Sequence, residues 1–263
     1  MAFILGVLVW AVAAMMVVFM AADRYGAPEA ASTAAPVIDS QYMLTLAITG
    51  VAFILAQALL GLFIVKYRDR SGSSVRYVHG NNAVELGAMA LTAVVFVALA
   101  IMGQKTWASV HLAEPPADIM RVEVLGQQFL WNVRYPGPDG RFGETRPELY
   151  DDQTNPVGID PQDPAGRDDI VLANQVFVPV NRPVELVLRS KDVIHDFFMP
   201  RMRLKQDTVP GLSIPLRFTA TETGDYPVLC AELCGLGHYR MKATLHVLEP
   251  QAYEAWLREQ AGQ

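Results

Sequence analysis

The stretch DYPVLCAELCGLGHYRMKATLHVL, residues 225–248, decides how this chain is read. Its two ends, 225–229 and 242–248, alternate apolar and polar side chains, the pattern of short strands with one buried face. Between them lie Cys230, Glu232, Cys234, His238 and Met241 on one loop. The chain has only two cysteines, and they sit four apart on this loop. Thiolate and thioether are soft ligands that suit copper, and imidazole completes such a set. A further histidine, His195, lies upstream in the run VIHDFFMP, residues 193–200. Two thiolates on one short loop can bridge two metal ions, which a site for a single copper does not require. Each residue also has a plainer reading. The cysteines suit a disulfide in an oxidising compartment, His195 a structural histidine, and Met241 a core side chain. Only the joint spacing C-x-E-x-C-x3-H-x2-M, with the upstream histidine, favours metal.

Working outward, residues from about 117 onward read as a series of short strands: 120–125, 128–135, 177–180, 184–189 and 214–219 precede the two already named. Turn signals separate them, at PGPDG (136–140), NRP (181–183), Pro210-Gly211 and Thr223-Gly224. Strands and turns at this spacing make a sandwich or small barrel. Residues 250–260 read as a helix with proline at its start. Residues 144–169 read as a surface excursion carrying eight acids against two arginines. From Lys105 to the end there are 16 bases and 22 acids, so this half holds the whole net charge of −6. It offers no basic stripe, and no nucleic-acid partner is expected.

The first hundred residues are different. The chain is 52% apolar and 18% charged, and the charge is scarce in this half. Three apolar runs, 1–22, 43–65 and 86–103, approach the ~20 residues a helix needs to cross the hydrocarbon core. Between the second and third stand Lys66, Arg68, Arg70 and Arg76, which place that loop in the cytoplasm. The linker 23–41 carries Arg24 as its only base and suits the outside. The N-terminus is therefore expected inside and the strand-rich head outside. The first run has small residues, Ala21 and Ala22, where a secretory leader is cut. It lacks a basic n-region and is longer than a leader core, so a retained helix is expected. The division is an extra helix and outer linker over 1–42, a transmembrane hairpin over 43–107, and an outer domain with a C-terminal helix over 108–263.

The loop resembles, at every ligand position, the dinuclear copper (CuA) loop of cytochrome c oxidase subunit II. The similarity runs from about residue 43 to the end and includes Lys66-Tyr-Arg68 and the stretch LKQDTVPG, residues 204–211. Residues 1–41 fall outside the usual pattern. The fold this implies is a membrane-anchored all-β protein: three transmembrane helices, then a cupredoxin-like Greek-key β-barrel. The resemblance implies that Cys230 and Cys234 bridge two copper ions. His195 and Met241 would complete one, and His238 and the backbone carbonyl of Glu232 the other. It also implies a magnesium ion held by the Glu232 carboxylate at the junction with subunit I. Lys205 and Asp207 would lie against the same subunit. The implied role is to accept electrons from a c-type cytochrome and pass them to haem in subunit I. There oxygen is reduced to water, with proton translocation. Partners would be subunit I, other oxidase subunits, the cytochrome and membrane lipid. The alanine-rich composition and extra helix lean to a bacterial plasma membrane.

Two departures matter. The family's aromatic segment, commonly Gly-His-Gln-Trp-Tyr-Trp, stands here as Gly126-Gln-Gln-Phe129-Leu-Trp131. Phe129 replaces the tryptophan expected to receive electrons; Trp131 remains, in a place to which the family assigns no such role. The third helix lacks the usual Trp-Thr and Pro, yet Glu85 falls where the family has a glutamate at the mouth of a proton path. Glu85 reads equally as a helix-start carboxylate favoured by the dipole. The acidic head suits a basic cytochrome. Phe129 argues for a dedicated donor, membrane-tethered or in a neighbouring complex, with the excursion and extra helix as its holders. The rival reading is a membrane-tethered copper chaperone with C-x3-C, whose fold is thioredoxin-like and whose histidine lies far downstream. A copper-free subunit II of a quinol oxidase would lack these ligands. A nitrous oxide reductase shares the loop but not the three helices. No C-x-x-C-H is present for covalent haem.

Overall fold

A computed structural model of the protein describes residues 1–22, 26–70, 72, 77 and 79–262. The chain forms two compact units, Met1–Ala27 with Asp39–Trp107, and Pro28–Ile38 with Ala108–Gln263.

The first unit holds helix α1 (Ala2–Ala21) and most of α2 (Ala35–Lys66) and α3 (Asn82–His111), each helix long and apolar enough to cross a membrane. Their large apolar side chains are exposed along most of their length, as lipid contact requires. The expected spans are recovered, but α2 and α3 have 32 and 30 residues. At 1.5 Å per residue they run about 45 Å or more, against a hydrocarbon core of about 30 Å. Apolarity marks only the part inside lipid, whereas the backbone stays helical as long as caps and propensity allow. On α2 the start is set by Ser32, whose Oγ accepts the Ala35 N–H at 3.2 Å. The helix thus takes in part of the stretch expected to be linker. At the other end Arg68 Nη1 donates to the Val65 carbonyl at 3.1 Å. Lys66, Arg68 and Arg70 follow one another here; Arg24 and Arg76 lie outside the described residues.

Among the described residues the second unit is a β-sandwich of ten strands. They are β1 (Met120–Gln127), β2 (Leu130–Tyr135), β3 (Ile170–Ala173), β4 (Gln175–Pro179), β5 (Pro183–Ser190), β6 (His195–Met199), β7 (Leu204–Thr208), β8 (Ile214–Thr219), β9 (Gly224–Cys230) and β10 (Lys242–Leu248). One sheet runs β3-β2-β1-β5-β8 and the other β4-β10-β9-β6-β7. The chain passes between the sheets after β3, β4, β5, β7 and β8. Two parallel pairings, β1 with β5 and β4 with β10, join strands distant in sequence. This is the cupredoxin-like Greek-key arrangement, flattened into two layers. Val122, Val124, Leu186, Leu188, Val228 and Leu245 fill the space between the sheets. Each such side chain contributes about 1.5–3 kcal/mol by leaving water. Helix α4 (Pro250–Gln260) covers one side through Tyr253 and Trp256.

Two features of this unit were not expected. Residues 28–34 belong to it: Ser32 bridges Ala220, and Ala31 N–H donates to the Arg201 carbonyl at 2.9 Å while its own carbonyl accepts from Thr221 at 3.0 Å. The excursion 144–169 is also more than a solvated loop, because its acids build it. Asp151 accepts from the N–H groups of Gln153 and Thr154 at 2.9 and 2.8 Å. Asp163 accepts from Glu144 at 2.7 Å. Asp169 meets the buried Arg134 guanidinium at 2.6 Å. Such side-chain turns offer the backbone an alternative to a sheet ladder.

Candidate metal centre

The ligand loop hangs between β9 and β10. Cys230 ends β9, and its N–H donates to the Met241 carbonyl at 3.1 Å, closing the loop at its base. Strand β6 pairs with β9 through Phe197 and Cys230. The Ala231 N–H donates to the Asp196 carbonyl at 3.1 Å. That pairing brings His195, the first residue of β6, to the cysteines from 35 positions away in sequence.

The ligand atoms of His195, Cys230 and Cys234 lie within 4.8 Å of one another. Among the described residues no other group of three His, Cys, Asp or Glu converges this way. The two sulfurs are 3.8 Å apart and both cysteines are free. A disulfide needs about 2.05 Å. Cys234 Sγ is also 3.7 Å from His238 Nδ1 and 3.8 Å from Met241 Sδ. The Glu232 carbonyl oxygen lies 3.2 Å from Cys230 Sγ.

The electrostatics favour a cation here. Burial pushes the Cys230 thiol up, but the nearby His195 imidazole, the adjoining backbone and His238 overcome it and bring the pKa down to about 6. Cys234 goes the other way, to about 11, through burial and then the neighbouring Cys230 sulfur. Burial would lower His195, yet its contacts with Cys230 and Asp192 raise it. The opposite shifts arise because two thiolates in van der Waals contact repel, a repulsion that a cation beside them would relieve. The donors fit copper. His195 Nδ1 is buried with no hydrogen-bond partner, an arrangement that a buried imidazole rarely keeps without a ligand. Its Nε2 lies 2.8 Å from Asp192 Oδ1, so the ring is held at its far edge and the near nitrogen is left for a metal.

Asp192 was not anticipated. The Gln128 N–H fixes its other oxygen at 2.8 Å, and the Gln128 side chain donates to the Cys234 carbonyl at 2.5 Å. One residue thus ties the histidine's carboxylate to the loop. The one available signal was an aspartate three residues before a candidate ligand. Gly126 is the second omission. A Cβ there would stand 2.9 Å from Trp131, 3.0 Å from the His195 ring and 3.2 Å from Thr208 Oγ1.

Among the aromatic candidates, Phe129 is partly buried against Gly235 and Gly237 of the loop, where a Cβ on Gly237 would meet its ring at 2.3 Å. Trp131 is fully buried, in edge-to-face contact with His195 at 5.8 Å and Phe197 at 5.0 Å between centroids. Around the centre Leu233, Leu236 and Tyr239 are 78%, 97% and 81% exposed. The Glu232 carboxylate points to solvent and belongs to no ligand cluster. Lys205 sits 3.5 Å from the buried Asp196 carboxylate. Burial and a hydrogen bond with Asp207 raise the Asp196 pKa to about 6. Glu85 lies in the first turn of α3, in the other unit, exposed beside Asn81, whose Oδ1 caps Ala83 at 3.0 Å.

A two-sheet head with a cysteine-histidine loop that could hold a metal, in a chain with three apolar helices, defines a membrane protein with a cupredoxin-like domain. The family profile described as "Cytochrome C oxidase subunit II, periplasmic domain" matches residues 120–248. The alternative cytochrome c oxidase subunit 2 of Bradyrhizobium diazoefficiens is 36% identical, over 85% of this chain and 80% of that protein. Cytochrome c oxidase subunit 2 of Thermostichus vulcanus is 28% identical, over 95% and 85%. The solved periplasmic domain of subunit II of Bradyrhizobium japonicum cytochrome oxidase is 28% identical, with TM-score 0.42, covering 56% of this chain and 96% of that one. The chain belongs to the cytochrome c oxidase subunit 2 family. It is a membrane subunit of an oxidoreductase complex with other oxidase subunits, and its head corresponds to a periplasmic domain.

Proposed function

We propose that this chain is the electron-accepting subunit of its oxidase, taking electrons from a c-type cytochrome and handing them to haem in subunit I. The observation that carries this is the pair of unjoined sulfurs 3.8 Å apart beside an orphaned, buried imidazole nitrogen. Cys230 and Cys234 would hold both copper ions of a dinuclear centre, His195 and Met241 one of them, and His238 with the Glu232 carbonyl the other. Bound there, the centre supplies a one-electron relay whose charge change is shared by two ions. The protein's own part is to keep that site rigid and dry. Asp192 and Gln128 hold His195 and the loop; Trp131 and Phe197 exclude water beneath. The chaperone reading fits less well, since its thioredoxin-like fold is not this all-β sandwich and its histidine does not share the loop. A magnesium ion on Glu232 would need its remaining ligands from another chain. The membrane is proposed to be the bacterial plasma membrane, with the N-terminus in the cytoplasm.

Phe129 and the exposed leucines bear on the donor. Lacking an indole N–H at 129, the docking face has one hydrogen-bond donor fewer. A dedicated cytochrome held at high effective concentration would offset that loss. The test is stopped-flow reduction of the purified oxidase by a soluble basic cytochrome c at low and high salt. Wild type is expected to be slow and Phe129→Trp faster. Neutralising the exposed acids by Glu144→Gln with Glu148→Gln should slow only the native donor. Removing the whole excursion would also strip Arg134 of its buried partner, so the substitutions are the cleaner probe. Rapid reduction of wild type, indifferent to all these changes, defeats the dedicated-donor idea.

Glu85 is proposed to feed protons toward subunit I. Its position in the exposed first turn of α3, following the basic loop, supports this. In the assembled enzyme Glu85→Ala should slow oxygen uptake while copper reduction keeps its rate. A parallel fall in both would mean that the carboxylate only caps the helix.

A further inference from the structure

The membrane unit contains a built contact that the electron-transfer reading does not use. In α1 only Gly6 is buried, and a Cβ on it would strike Val65 Cγ2 at 2.6 Å and the Gly61 carbonyl oxygen at 3.1 Å. One turn further along α1, the Trp10 indole lies over Gly61, where a Cβ would come within 2.2 Å of Trp10 Nε1. That Nε1 donates to the Ala58 carbonyl at 3.3 Å. Gly6 and Trp10 are four apart and share a face of α1, as Ala58, Gly61 and Val65 share a face of α2. Each helix thus gives up a side chain where the other needs room, the close approach by which helices associate in lipid. The indole N–H is the only side-chain donor within the apolar run of α1, and in hydrocarbon it requires an acceptor. Here it has one, on the partner helix. The contact also fixes direction: the start of α1 meets the end of α2 that leads into Lys66, so the two run antiparallel.

A leader core needs only apolarity, because it is cut off and discarded. A tryptophan seated in a glycine notch serves nothing in such a segment. We infer that residues 1–22 are a permanent membrane helix of the working subunit, locked onto α2 by Trp10 over Gly61, and not a leader removed during maturation. The helix is 20 residues long, enough for the hydrocarbon core without its neighbours.

Two measurements on the purified, membrane-extracted oxidase test this. The intact mass of the subunit is expected to include residues 1–22; a mature chain starting near residue 23 overturns the inference. In the second, a specific protease site is inserted between residues 22 and 28 and cut in detergent. The released α1 fragment should stay with the complex in the wild type. It should be lost several-fold more readily with Gly61→Leu, which fills the notch, and with Trp10→Ala, which empties it. Trp10→Phe, keeping the bulk without the N–H, should fall between. Should the fragment leave the wild type as freely as the variants, α1 is no packed helix and the lock is refuted. Because neither readout depends on copper or turnover, failure here leaves the electron-transfer proposal standing.

Discussion

Cys234→Ser is expected to abolish the proposed dinuclear centre, leaving at most one copper per chain, whereas Met241→Leu should keep two. Cys234 Sγ is the hub of the site, 3.8 Å from Cys230 Sγ, 3.7 Å from His238 Nδ1 and 3.8 Å from Met241 Sδ. A serine oxygen is harder, and at neutral pH it keeps its proton, so it could not replace the thiolate that two copper ions would share in the proposed centre. Met241 is buried, and leucine is a near volume-conserving swap whose packing cost is below about 1.5 kcal/mol. A weak axial thioether tunes a copper site's potential more than it holds the metal, so the leucine variant should shift the potential. Copper content by elemental analysis, with redox titration of the visible absorption, separates the two. Equal copper loss in both variants would refute this ranking.

Gly126→Val is the other change expected to have a large effect, although the residue is no ligand. Its backbone carries no positive φ, so the requirement for glycine is spatial. A side chain here meets Trp131, the His195 ring and Thr208 at once, all three in the close-packed interior. Overpacking of that kind costs roughly 1–3 kcal/mol. What yields should be the His195 ring, at the edge of the core and held by one carboxylate. Lower thermal stability together with weaker copper retention is therefore expected, while Gly126→Ala should show a smaller version of both. Normal copper content and an unchanged melting temperature in the valine variant would mean that the ring and its neighbours relax freely.

Where the sequence was readable, the physical signal was simple. Residues 184–189 and 242–248 alternate because one face meets the core, and β5 and β10 were placed almost to the residue. The ligand loop was legible because soft donors are scarce and these lie close together. Strands β3, β6 and β7 were missed for identifiable reasons. In β6, His195, Asp196 and Phe197 are all buried, so no alternation marks it. Strand β7 reads Leu-Lys-Gln-Asp-Thr, charged like a loop, and its place is set by pairing with β6. The Asp192 contact and the glycine notches at 126 and 61 depend on what packs opposite, which no local pattern carries. The acids of 144–169 read in the sequence as surface charge, whereas several are turn-makers satisfied by backbone N–H groups.

The seam between residues 28–34 and the head has a bearing on how the chain is made. Ser32 Oγ donates to the Met202 carbonyl, a partner 170 positions later. At synthesis rates of about 5–20 residues per second, the first strip of the pair waits roughly ten to thirty seconds for the second. During that interval it is an unpaired edge with its hydrogen-bonding groups open to water or to strangers. Its composition suits the wait: Pro28-Glu-Ala-Ala-Ser-Thr-Ala34 has no large apolar side chain and begins with a proline and an acid, poor material for a chance sheet. The seam thus cannot close until Met202 and Thr221 have been made, and a segment this bland is suited to waiting for them without being captured.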